Sequence, residues 1–97
     1  DGDEIHFGKV NLNAGSYEVK ISCRGDTLYG GILEVLHGTT SLGSVDLFLF
    51  AGEQATSWIY TPVAWSTGNL RVRVNGKNVG STAYRIAFLR LEIIRAE

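Results

Sequence analysis

The side chains able to do acid–base, nucleophilic or metal chemistry are few and scattered along this 97-residue chain: two histidines, His6 and His37, one cysteine, Cys23, and ten carboxylates. Catalysis needs such groups converged on a rigid scaffold. Each histidine stands alone in sequence, and Cys23 falls in the inward register of an alternating segment, where cysteine behaves as a small apolar filler. No glycine-rich loop leads into a helix, which excludes a phosphate cradle of the P-loop or dinucleotide kind. Asp1, Asp3 and Glu4 form an acidic opening that could offer oxygens to calcium, but such a site needs convergent partners and the pattern shows none. A frayed, solvated terminus accounts for them better. The expectation is a chain with no catalytic activity, no cofactor and no metal.

Binding is the better lead. Arg24-Gly25-Asp26 spells the integrin-binding tripeptide in an expected loop, although a turn after a strand explains Gly25 and Asp26 equally well. The aromatic residues say more. Trp58, Tyr60 and Trp65 fall within eight positions, and Tyr29 sits in a glycine-rich stretch. Flat aromatic faces suit the C–H face of a sugar ring, and neighbouring amides and hydroxyls suit its oxygens. Asn75, Lys77, Asn78, Ser81 and Thr82 provide such groups in one expected loop. Trp58 and Tyr60 share a strand face and read as core at least as readily as site. Trp65 follows Pro62 and precedes Ser66-Thr67-Gly68, which makes it the aromatic best placed for exposure.

Strands must position these residues. Twelve glycines and one proline punctuate short runs rich in Val, Ile, Leu, Tyr, Phe and Thr. The expected strands are Ile5 to Asn11, Tyr17 to Cys23, Ile32 to His37, Leu42 to Phe50, Thr56 to Thr61, Leu70 to Val74 and Tyr84 to Ile94. Asn75-Gly76-Lys77-Asn78 reads as a tight hairpin turn, because Asn-Gly tolerates positive φ. No window has a sustained helical period with caps. The expected fold is therefore all-β, a two-sheet sandwich of jelly-roll type with seven to eight strands in a single domain over residues 1–97.

The chain is 44% hydrophobic and 20% charged, enough for a core and unlike a disordered tail. Its apolar runs are too short for a membrane helix, no signal-peptide pattern is present, and one cysteine excludes an internal disulfide framework. The absence of methionine reads as a processed product or a module of a longer protein. Net charge is −1, which gives no general case for nucleic acid or membrane. Residues 1–53 are net −5 and residues 54–97 net +4, so the halves are expected to pair inside one sandwich. Three strands look apolar on both faces: Ile32/Leu36 with Leu33/Val35, Leu47/Leu49 with Phe48/Phe50, and Ile86/Phe88 with Leu89/Leu91. Either a bulge or a second buried surface would explain them, and an interface is the expectation.

The order Asn13 to Val19, Tyr29 to Val35, Leu42 to Phe48, then Leu70 to Asn78 with Ser81, Tyr84 and Ile86, resembles a jelly-roll module found in bacteriophage tail, tail-fibre and other virion proteins. That module is similar in outline to jelly-roll carbohydrate-binding modules. The resemblance runs from about Val10 onward and is carried most specifically by Val74-Asn75-Gly76-Lys77-Asn78 before a Ser and a Tyr. It implies a non-enzymatic structural or adhesive module on a virion, a trimer with copies of itself and neighbouring virion proteins as partners, and a host-surface glycan as ligand. The structural calcium common in carbohydrate-binding modules is not implied, since Ala83 to Leu91 offers no Asp or Asn for it. The alternative reading is a carbohydrate-binding module appended to a secreted glycan-degrading enzyme. The candidate sugar-binding residues under either reading are Trp65, Tyr29, Trp58, Tyr60, Asn75, Lys77 and Asn78.

Overall fold

The computed structural model describes residues 2–62 and 66–96. Seven strands run β1 (Glu4–Leu12), β2 (Ser16–Gly25), β3 (Gly31–His37), β4 (Thr40–Asp46), β5 (Gly52–Tyr60), β6 (Ser66–Lys77) and β7 (Ala87–Ala96), and no α-helix occurs among the described residues. They form a four-stranded sheet in the order β1-β6-β3-β4 and a three-stranded sheet in the order β5-β2-β7. Every pairing is antiparallel. The pairs nest: β3 with β4, β2 with β5, and β1 with β6, each set switching sheets. That is a folded strip rolled over a core, the jelly-roll topology.

Side-chain alternation decides which faces meet. Tyr17, Val19, Ile21 and Cys23 of β2 point inward and are buried, while Lys20 and Arg24 are exposed. Leu70, Val72 and Val74 of β6 do the same from the opposite sheet, with Arg71 and Arg73 outward. With Leu33, Val35, Leu42, Val45 and Leu47 they make one core. Burying an aliphatic side chain is worth about 1.5–3 kcal/mol.

The acidic and basic halves meet on the outer face of the larger sheet. Glu34 of β3 accepts from Arg73 Nε at 2.8 Å, from Ser41 Oγ at 2.6 Å and from Asn75 Nδ2 at 3.1 Å. Arg71 pairs with Glu4 on the same face. Burial pushes the Glu34 carboxyl up, but the Ser41 hydroxyl and the Arg73 and Arg71 guanidiniums outweigh it and hold the carboxyl below its ordinary range.

Three expectations change. The run from Leu42 to Phe50 is not one strand: β4 ends at Asp46, whose Oδ1 accepts from Phe48 N at 3.1 Å and caps a 3₁₀ turn over Leu47–Leu49. That turn, and not an interface, gives the segment its two apolar faces, with Leu47 in the core and Leu49 outside. Asn75-Gly76 is not a hairpin turn. It lies within β6, where Lys77 pairs with Gly31 and Val74 with Leu33, so the strand carries one extra residue and Gly76 takes φ +84°. Asn-Gly suits such a bulge for the same reason it suits a turn. The chain reverses a few residues later, where Ser81 N donates to Asn78 O at 2.9 Å. Finally, β7 starts at Ala87 and not at Tyr84, and its register shifts opposite Ser22/Cys23, which sends Leu89 outward while Phe88 packs on the core.

His37 is a second internal polar tie. Its Nε2–H donates to Val10 O at 2.9 Å, because a carbonyl can only accept, which leaves Nδ1 to accept from Tyr60 O–H at 3.1 Å. The imidazole thus links β1 and β3 of one sheet to β5 of the other. Tyr60→Phe is expected to lower stability by about 1–2 kcal/mol, since it orphans a buried ring nitrogen. Urea unfolding of the two proteins checks it, with an unchanged midpoint contradicting the tie.

Candidate functional site at the loop end

Strand directions put three connections at one end of the sandwich: residues 26–30, 47–51 and 78–86, together with the start of β1. The other end carries 13–15, 38–39 and Thr61-Pro62. The first end is held by a dense set of backbone bonds. Asp26 N donates to Leu47 O at 2.8 Å, Arg85 N to Tyr29 O at 2.9 Å and Gly31 N to Arg85 O at 2.6 Å. Arg85 also bridges Gly30 in parallel fashion, so the 78–86 segment behaves as a strap against the 28–31 loop.

Asp26 sets the shape of that loop. Its Oδ1 accepts from Leu28 N and Tyr29 N, each at 2.9 Å. These two amides, with Arg85 nearby, hold its carboxyl below the ordinary range. The Arg24-Gly25-Asp26 tripeptide is therefore a structural corner. Gly25 ends β2 under Phe50, whose carbonyl oxygen lies 2.0 Å from where a Cβ would stand. Arg24 lies beside Glu53 at 3.7 Å.

The corner leaves two tyrosine rings half out in solvent. Arg85 stacks its guanidinium 4.7 Å from the centre of the Tyr29 ring, and Lys77 Nζ lies 5.8 Å from that of Tyr84. Each cation occupies one face and fixes the orientation of its ring. Arg85 also lines a cleft of about 240 Å³, with Arg24, Gly25, Asp26, Ile86 and Ala87 as its other walls. A second cleft, of about 300 Å³, has Tyr84, Ile86, Val74 and the acidic Asp3 and Glu4 in its walls. Ile86 belongs to both, so the clefts adjoin.

Of the seven residues singled out by sequence, the six that lie among the described residues are not brought together. Tyr29 is at the loop end and 40% exposed. Trp58 and Tyr60 face inward from β5 and pack on the core, Trp58 with its indole directly against Gly43 of β4. Tyr60 commits its hydroxyl to His37. Asn75 belongs to the Glu34 network on an outer sheet face. Lys77 and Asn78 build the strap: Lys77 Nζ donates to Ser81 O at 2.9 Å, and Asn78 Nδ2 donates to Asp46 Oδ2 at 3.0 Å. Trp65 lies outside the described residues. Arg85 escaped the sequence reading because it sits in an irregular strap that alternation had merged with β7; Tyr84 and Ile86 in the same stretch figured in the resemblance but not as site residues.

The other chemical groups are occupied or scattered. Cys23 is fully buried, and burial pushes its thiol up, away from the thiolate that reacts. Among the described residues no group of three or more His, Cys, Asp or Glu side chains is placed to hold a metal ion.

The architecture defines the class: a jelly-roll β-sandwich module with its exposed rings on the loops at one end. Among solved structures the chain resembles a xanthan lyase from Paenibacillus, with a TM-score of 0.63 and 22% identity over 98% of this chain. The chain spans 9% of the length of that protein. By sequence it matches no family model and no curated protein. The likeness is one of fold, to a domain of a carbohydrate-active enzyme, and the bacteriophage kinship expected from sequence is not among the findings.

Proposed function

We propose that this chain is a non-catalytic, sugar-binding accessory module of a longer, secreted carbohydrate-active protein. The observation that carries the reading is the pair of half-exposed tyrosines at two adjoining clefts: Tyr84, under Lys77, lines one, and Tyr29 stacks on Arg85, which lines the other. Pre-oriented aromatic rings offer apolar faces to sugar C–H groups without an ordering cost at the moment of binding. The guanidiniums of Arg24 and Arg85 and the carboxylates of Asp3 and Glu4 supply hydrogen-bond partners for hydroxyls along the clefts. Each cleft is at or below the roughly 300–1,000 Å³ of pockets that swallow a drug-sized ligand, which suits one sugar residue apiece from a continuing chain. The fold shared with a domain of a xanthan lyase supports the same assignment. The virion reading has no observation of its own and gives way to this one.

Affinity electrophoresis through gels containing neutral and acidic soluble polysaccharides tests the proposal. At least one polysaccharide is expected to retard the protein. Tyr29→Ala and Tyr84→Ala are each expected to weaken that retardation about tenfold, the effect of losing roughly 1.4 kcal/mol of contact. Ile59→Ala, on an outer sheet face, is expected to leave it unchanged. No retardation on any polysaccharide, or retardation indifferent to both tyrosines, contradicts the proposal.

A further inference from the structure

The nested pairing of the strip gives every strand from β1 to β6 a partner of its own, and among the described residues β7 is added beside β2 with no strand paired on its other side; the ring of Phe7 in β1 packs on Phe88 near its start, 5.6 Å between centroids. Four strands are edges: β1, β4, β5 and β7. Three of them are blunted. β1 is bulged around Phe7, with Gly8 at φ +92°. β4 is broken by a register shift and by Gly43 at φ +151°. β5 closes against β4 where Trp58 covers Gly43. β7 has no such device beyond its first residues: from Arg90 to Ala96 its register against β2 is regular, with neither Gly nor Pro. A long, regular, unprotected edge is a template for another strand.

The charges along β7 say which strand fits. Two antiparallel copies of β7 related by a two-fold axis keep inward residues opposite inward residues only if the axis passes through a residue. An axis at Arg90 sets two guanidiniums opposite each other, and an axis at Glu92 sets two carboxylates opposite each other. Through Ile93, Glu92 meets Ile94 and Leu91 meets Arg95. Through Leu91, Arg90 stands opposite Glu92 of the second copy and Glu92 opposite its Arg90, while Leu91 meets Leu91; on either side Ile93 reaches the bulge at Leu89, where the regular pairing ends. That register makes two opposite-charge pairs around one apolar contact, with no like charges opposed. Arg90 and Glu92 already lie on one face, 3.3 Å apart, so both can turn to the neighbour with little rearrangement. The half-buried Leu91 gains cover from its mate.

We infer that the β7 edge is a self-association site, at which a second copy of this chain adds antiparallel in the register centred on Leu91. The two smaller sheets join into one six-stranded sheet, in the order β5-β2-β7 followed by its two-fold mate. The rings of Tyr29 and Tyr84 lie outside this contact, although Ala87, in the wall of the first cleft, stands opposite Arg95 of the second copy.

Light scattering behind gel filtration, over a series from micromolar to submillimolar protein, tests the inference. A concentration-dependent dimer is expected. Glu92→Arg and Arg90→Glu should each oppose like charges and weaken the dimer about tenfold or more. The double variant Arg90→Glu/Glu92→Arg should restore it, because the pairs re-form with exchanged sign. Circular dichroism confirms that each variant is folded, and the restored double variant guards against a mere folding defect. A monomer throughout the series, a trimer, or a dimer indifferent to the two single reversals overturns the inference; a monomer would leave the edge to a strand from elsewhere in a longer chain.

Discussion

Gly43→Ala is expected to lower stability by about 2–4 kcal/mol, through overpacking and a strained dihedral together. Gly43 lies on the inner face of β4, and a Cβ built there falls 2.2 Å from Cε2 of Trp58. The half-buried indole packs on the core from β5, so moving it aside uncovers apolar surface. The backbone adds to the cost, since φ is +151° and an L side chain resists that region. Overpacking contributes about 1–3 kcal/mol and the dihedral about 1 kcal/mol. Urea unfolding monitored by far-ultraviolet dichroism measures the loss, and Trp58→Phe in the Gly43→Ala background is expected to recover part of it. A variant as stable as the parent would mean that Trp58 does not pack against β4, and would return it to the list of surface aromatics.

The second large effect belongs to Glu34. Glu34→Ala is expected to lower stability at neutral pH by about 2 kcal/mol, because Ser41, Asn75 and the partly exposed Arg73 lose their common acceptor. The contribution depends on pH in a defined direction. The folded-state carboxyl titrates below its ordinary value. Its stabilisation is therefore complete above the unfolded-state pKa of about 4.3 and disappears as the pH falls through the lower folded-state value. Urea midpoints of the parent and Glu34→Gln are expected to differ at neutral pH and to converge as the pH falls through the lowered folded-state value. A gap that widened on acidification would contradict the assignment of Glu34 as a depressed, ion-paired carboxylate.

The sheets were legible in the sequence because alternation is a direct image of a two-faced strand. Tyr17-Val19-Ile21-Cys23 and Leu70-Val72-Val74 needed only a period of two to be placed inward. Boundaries set by single backbone groups were not legible. Asp46 ends β4 by capping a 3₁₀ turn, and nothing in Leu47-Phe48-Leu49-Phe50 separates that turn from more strand. Asn75-Gly76 signalled positive φ correctly, but a bulge and a hairpin turn demand the same φ, and only the pairing of β6 with β3 decides between them. The site was harder still. Type alone marked Trp58 and Tyr60, whereas packing against Gly43 and the bond to His37 turn them inward. Tyr29 was found, but its cation Arg85 lies 56 residues away in sequence and reaches it through the strap's parallel bridge to Gly30.

The central claim is that the loop end built on Tyr29, Arg85 and Tyr84 binds sugar. Backbone amide shifts of isotope-labelled protein, followed during titration with oligosaccharides of the polysaccharide that retards it most, test that claim residue by residue. The account predicts saturable shifts confined to Tyr29, Tyr84, Arg85, Ile86 and Ala87 and their neighbours in the strap, with β5 and the outer face of the larger sheet unmoved. Saturable shifts centred on the outer face around Glu34 and Arg73, or on the opposite end of the sandwich, would contradict it.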